Sequence, residues 1–78
     1  MTNNSMYSYG ILKRDIHTWD MSTMEWVKIA KGTKGVIKES ILVPLSRSYD
    51  LVFNATNKNG EEFRAVECVN ERDLELVG

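Results

Sequence analysis

The chain has 78 residues and a net charge of −1, which limits it to one domain and argues against binding driven by overall charge, as nucleic-acid carriers use. Its balance of 42% hydrophobic and 27% charged residues is that of a soluble globular protein. A chain this short buries only about 60–65% of the surface its unfolded form exposes, so a large internal pocket is not expected.

Residues 1–6 are read as a flexible N-terminus and 7–78 as a single domain. From Tyr7 to Ile16, aromatic and β-branched residues predict a first strand. Residues 17–24, HTWDMSTM, carry Asp, Ser and Thr without a steady period and are expected to form a long loop. EWVKIAK, 25–31, alternates as a half-buried strand with Val27 and Ile29 inward and Trp26 partly outward. Gly32 to Gly35 should turn the chain into VIKESILV, 36–43, a strand that ends at Pro44. YDLVFNAT, 49–56, shows Tyr49, Leu51 and Phe53 on one face, and NKNG, 57–60, is a hairpin turn because Asn-Gly tolerates positive φ. In its partner, EEFRAVECV, 61–69, the apolar phase slips between Ala65 and Val66, as at a bulge. NERD predicts a turn of 3₁₀ helix and LELV a last short strand. No window of about eleven residues keeps the helical period.

The order WVKIAKGTKGVI … YDLVFN … NGEEF … ERDLELV resembles that of small SH3-like barrels across residues 7–77. The resemblance implies an all-β, five-stranded antiparallel barrel, with a long loop after the first strand and a 3₁₀ turn before the last. In such barrels that loop commonly helps to form a recognition surface. Locally, VKIAKGTKGVI is also similar to the KOW motif of ribosomal and transcription-elongation proteins.

The glycine-rich stretch KGTKGVIKES does not fit a phosphate-binding loop, which needs G-x-x-x-x-G-K-[S/T] before a helix. It has no aromatic residue on which bases could stack, so it is expected to be a turn in which Gly32 and Gly35 supply backbone angles. Catalysis is not expected. His17 and Cys68 are single residues of their kinds, and Cys68, alternating with Val66, is expected to be a small buried side chain. One Cys and one His cannot supply a structural metal site. Glu61, Glu62, Glu67, Glu71, Asp73 and Glu75 are expected to form a solvated acidic face.

The segment HTWDMSTMEW places Trp19, Met21, Met24 and Trp26 within eight residues. Rigid aromatic area beside adaptable thioethers is the composition of a protein-binding hot spot, although either tryptophan could instead plug a small core. The expected function is a non-catalytic module that docks on a larger protein as an accessory or inhibitor, of the kind common in bacteria and their phages. The alternative is an RNA- or DNA-contacting module using Lys28, Lys31, Lys34 and Lys38. Residues 1–39 hold six basic against four acidic side chains and residues 40–78 four against seven, a difference too small to choose between partners. No cofactor, membrane span or small-molecule substrate is expected. A lone cysteine and a polar start without a signal segment fit a cytoplasmic protein, and the initial Met with the closing Val-Gly suggests a complete small gene product.

Overall fold

The computed structural model describes residues 7–38 and 47–78. The residues assigned to a flexible N-terminus, and the second half of the strand expected at 36–43 with Pro44, lie outside them. The described chain is all-β: β1 (Tyr9–Leu12), β2 (Ile16–Asp20), β3 (Glu25–Ile29), β4 (Lys34–Ile37), β5 (Ser48–Thr56), β6 (Glu62–Asn70), a 3₁₀ turn (Glu71–Asp73) and β7 (Leu74–Val77). The NKNG hairpin and the 3₁₀ turn before the last strand stand where the sequence places them.

The strands form a five-stranded antiparallel sheet in the order β6-β5-β4-β1-β7, and a separate ribbon of β2 and β3. The two sheets are not closed into a barrel, contrary to the expected architecture. Among the described residues, no backbone ladder joins β2 to β6.

The expected first strand, 7–16, divides in two. Lys13, Arg14 and Asp15 are all exposed and cannot alternate in and out, so the chain bends there. The bend is pinned by Asp15 Oδ1, which accepts from Lys31 N at 2.7 Å, and by Lys13 N, which donates to Asp73 O at 2.8 Å. The long loop expected at 17–24 is instead β2 followed by a four-residue turn, in register Ile16↔Ile29, Thr18↔Val27 and Asp20↔Glu25. Thr18 and Asp20 occupy the inward positions of β2, and these polar side chains hid the alternation that marks a strand.

No bulge interrupts β6, whose pairing with β5 runs unbroken from Ser48↔Asn70 to Thr56↔Glu62. The apolar phase slips in the sequence because Glu67, half-buried, takes an inward position while Val66 points out. Cys68 shares that outer face and is exposed rather than buried.

The ribbon covers one face of the large sheet. Ile16, Val27 and Ile29 join Leu12, Leu51, Phe53, Ala65, Val69 and Leu74 in one core. Gly35 is not a turn residue. It lies within β4, opposite Gly10 of β1, under the ring of Phe53. A methyl group on Gly35 would stand 2.5 Å from Phe53 Cε1, so the missing side chain is what admits the largest of the fully buried residues. Gly32 does serve as a turn residue, with φ of 91° and open space around its Cα.

Gly35→Ala should therefore cost about 1–3 kcal/mol through overpacking, and Gly32→Ala about 1 kcal/mol through its backbone angle alone. Urea unfolding of both variants beside the parent checks this. Equal stability of Gly35→Ala and the parent would show that Phe53 does not depend on the glycine.

Candidate functional site

Because Thr18 and Asp20 face inward, His17 and Trp19 face outward, opposite Lys28 and Trp26 on β3. The two tryptophans are direct cross-strand neighbours, with ring centroids 5.2 Å apart and planes at 70°. This edge-to-face arrangement contributes about 0.5–1.5 kcal/mol beyond area burial and holds both rings in place. Neither ring is a core plug. Trp26 is 66% exposed and Trp19 39%, and the flanking Met21 and Met24 are 75% and 66% exposed. The structure thus brings all four residues of the expected hot spot onto one hairpin end.

The turn that carries the methionines is built around Asp20. Its main-chain oxygen accepts from Met24 N at 2.8 Å. Its carboxylate accepts from Ser22 N and Ser22 Oγ, both at 3.1 Å, and from Thr23 Oγ1 at 2.8 Å. With Ser22 and Thr23 turned back onto Asp20, the methionines are left on the outside. Met24 adopts φ of 57°, a left-handed conformation that costs a non-glycine residue about 1–2 kcal/mol.

Asn57 ties this turn to the other hairpin. Its Nδ2 donates to Asp20 Oδ2 at 3.0 Å and to Glu61 Oε1 at 3.0 Å, while its Oδ1 accepts from the backbone N–H groups of Asn59 and Glu61. Lys58 Nζ adds a surface ion pair to Glu25 at 2.9 Å, which contributes little on its own. Thr18 Oγ1 donates to Glu67 Oε2 at 2.7 Å and links the ribbon to β6. Thr18, Asp20 and Asn57 are the buried polar residues among those described, and no buried side-chain nitrogen or oxygen among the described residues lacks a partner. The sequence pattern missed the Asp20–Asn57 link. The available signal was two turn-forming residues, each at the mouth of a hairpin.

The lysines of the nucleic-acid alternative occupy different elements. Lys28 is on the outer face of β3, Lys31 follows that strand, Lys34 is in β4 with its Nζ 4.5 Å from the centre of the Tyr9 ring, and Lys38 follows β4. His17 and Cys68 line one open polar depression of about 470 Å³, which also includes the Arg14–Asp73 ion pair. The carboxylates do not form a single solvated face. Glu67 is engaged by Thr18, Glu61 by Asn57, Asp73 by Arg14 and Glu71 by Arg47, while Glu62 and Glu75 are exposed. Among the described residues no group of three or more His, Cys, Asp or Glu side chains is placed to hold a metal ion, and no helix is long and apolar enough to cross a membrane.

Compared with protein-family models, curated proteins and solved structures, the chain matches none.

Burial alone would push the Asp20 carboxyl up, but the hydrogen bonds from Thr23, Asn57 and Ser22 outweigh it and hold the group below its ordinary value. A depressed carboxyl lends stability that is complete above its unfolded value, about 4, and lost as pH falls through the folded value. Asp20→Asn should melt below the parent at pH 7, and the gap should narrow toward pH 3. Thermal melts at both pH values check this. A gap that does not narrow would remove the carboxylate from the account.

Proposed function

We propose that this protein is a non-catalytic docking module that binds a larger protein through Trp19, Met21, Met24 and Trp26, acting by recruitment or by occlusion. The observation that carries this reading is the exposure of all four apolar side chains at one end of a hairpin whose inner face already completes the core. Folding leaves that apolar area in water, and burial against a partner would remove it. Paired tryptophans offer large, rigid contact area, and methionines adapt to an irregular partner surface. The left-handed backbone at Met24 fits the same view, since strain of this kind concentrates at functional positions. The relation to SH3-like barrels is proposed in a modified form, as an open arrangement in which, among the described residues, the β2–β3 ribbon is laddered to the sheet at neither edge.

One observation favours a second reading as a nucleic-acid contact. Lys28 and His17 share the outer face of the ribbon with the two tryptophans, and single strands are held by aromatic rings beside cations. It ranks second because Lys34 is engaged by Tyr9 and the net charge is −1.

Immobilised parent, Trp19→Ala and Trp26→Ala proteins, exposed to lysate of the source cells, test the proposal. Proteins retained by the parent should be lost from both variants, and a purified partner should bind each variant about 2 kcal/mol more weakly. Each variant should lose only the ring pair's contribution to stability, about 0.5–1.5 kcal/mol. A fall equivalent to about 3–5 kcal/mol would instead make the ring part of the core. Submicromolar binding of random duplex or single-stranded nucleic acid at physiological salt, weakening steeply as salt rises, would place the second reading first.

A further inference from the structure

The strand β6 ends the large sheet, paired along its nine residues to β5 and to no other strand among those described. In an antiparallel strand, backbone N–H and C=O groups point alternately to the two sides, so part of the β6 backbone faces the gap toward β2. On the far side of the gap, β2 is paired only to β3. Among the described residues a single hydrogen bond crosses between these two strands, from Thr18 Oγ1 to Glu67 Oε2. Proteins usually protect so long an edge with a proline, a bulge, a covering segment or charged side chains, some pointing inward. Here β6 has no proline, its register is unbroken, and its inward charge, Glu67, is already engaged by Thr18.

The gap forms a groove of about 480 Å³ with Trp19 and Met21 on one wall and Phe63, Arg64 and Val66 on the other. Val66 is 50% exposed although it is aliphatic. The groove's charges are unequal in availability. Asp20 is saturated by its hydrogen bonds and Glu67 accepts from Thr18. Arg64 is exposed, and the ion pairs among the described residues do not include it.

We infer that this seam receives an extended segment of the partner protein, which adds a strand to the edge of β6, places apolar side chains against Trp19 and Val66, and sets a carboxylate against Arg64. The inference rests on the docking function proposed above and names the chemistry of its partner. Strand addition takes affinity from the main-chain ladder and specificity from alternate side chains, and the cation at the groove supplies the charge preference. A second copy of this chain fits less well. Two β6 strands paired about Val66 would set Arg64 against Cys68 and Glu62 against Asn70, and the register that sets Arg64 against Glu62 overlaps only residues 62–64 of the strand.

The test uses the full chain and synthetic peptides as long as β6 that alternate valine and threonine around a central glutamate. One control replaces that glutamate with lysine, and another carries N-methyl groups on alternate amides. Amide hydrogen exchange by NMR should show protection of alternate β6 amides with the glutamate peptide and none with the methylated one. The lysine peptide should bind about tenfold more weakly. Arg64→Glu should reverse that preference and Arg64→Gln should abolish it, with both variants melting like the parent. No binding of the glutamate peptide at about 1 mM, or equal affinity for both peptides, overturns the inference. If peptide shifts the Trp19 indole signal while β6 exchanges freely, the docking face survives and the strand groove does not. Concentration-dependent protection of β6 without peptide, together with a dimeric mass, overturns it in favour of a second copy. Retention of every partner by Trp19→Ala and Trp26→Ala would instead sink the docking function itself.

Discussion

A five-stranded sheet with one apolar face must have that face covered, and the β2–β3 ribbon supplies the cover over Phe53, Leu51 and their neighbours. A two-stranded ribbon is marginal alone in water, so it holds its place by what its inner side meets. Ile16, Val27 and Ile29 contribute apolar contact. Thr18 and Asp20 contribute direction, because a hydrogen bond has a preferred geometry and a hydrophobic contact does not. Thr18 reaches Glu67 and Asp20 reaches Asn57, which sets the ribbon's register over the sheet. Each such bond adds only modestly to stability, because folding exchanges it for bonds to water, whereas leaving one partner buried and unsatisfied costs that group its full desolvation penalty. Misplaced ribbons are therefore penalised more than the correct one is rewarded.

The exposed site follows from this packing. With even-numbered positions of β2 turned inward, alternation leaves Trp19 on the outside, and the register with β3 brings Trp26 directly opposite. Edge-to-face contact then stiffens a pair of rings that the core does not need. At the end of the ribbon, Asp20 gathers Ser22 and Thr23 and leaves Met21 and Met24 facing solvent. One carboxylate thus organises the turn, anchors it through Asn57 to the NKNG hairpin and determines which side chains the tip presents.

Among the described residues neither edge of the ribbon pairs with the large sheet. Between β2 and β6 the bridge is a pair of side chains, Thr18 and Glu67, where a closed barrel would have a ladder of main-chain bonds. Glu67 turned inward uses a position in β6 that an apolar residue would otherwise fill. Among the described residues the outer edge of β6 pairs with no further strand, and it lies beside a tryptophan, an exposed valine and an arginine.

Strand identity was legible in the sequence wherever inward positions are apolar. Val27 and Ile29, the run Tyr49, Leu51 and Phe53, the NKNG hairpin and the closing LELV are local patterns, and local alternation is enough to place them. The composition of HTWDMSTMEW was legible too, as apolar area concentrated beside turn residues. Tertiary structure decided the rest. Thr18, Asp20 and Glu67 are polar and inward, so β2 looked like a loop and β6 looked bulged until partners from distant parts of the chain were in place. Gly35 looked like a turn residue because the ring of Phe53 that needs its missing side chain comes from another strand. Whether the tryptophans faced the core or the solvent depended on the register of two strands, and the bridge from Thr18 to Glu67 joins residues 49 positions apart. Those are contacts between residues far apart in the chain, which no local period records.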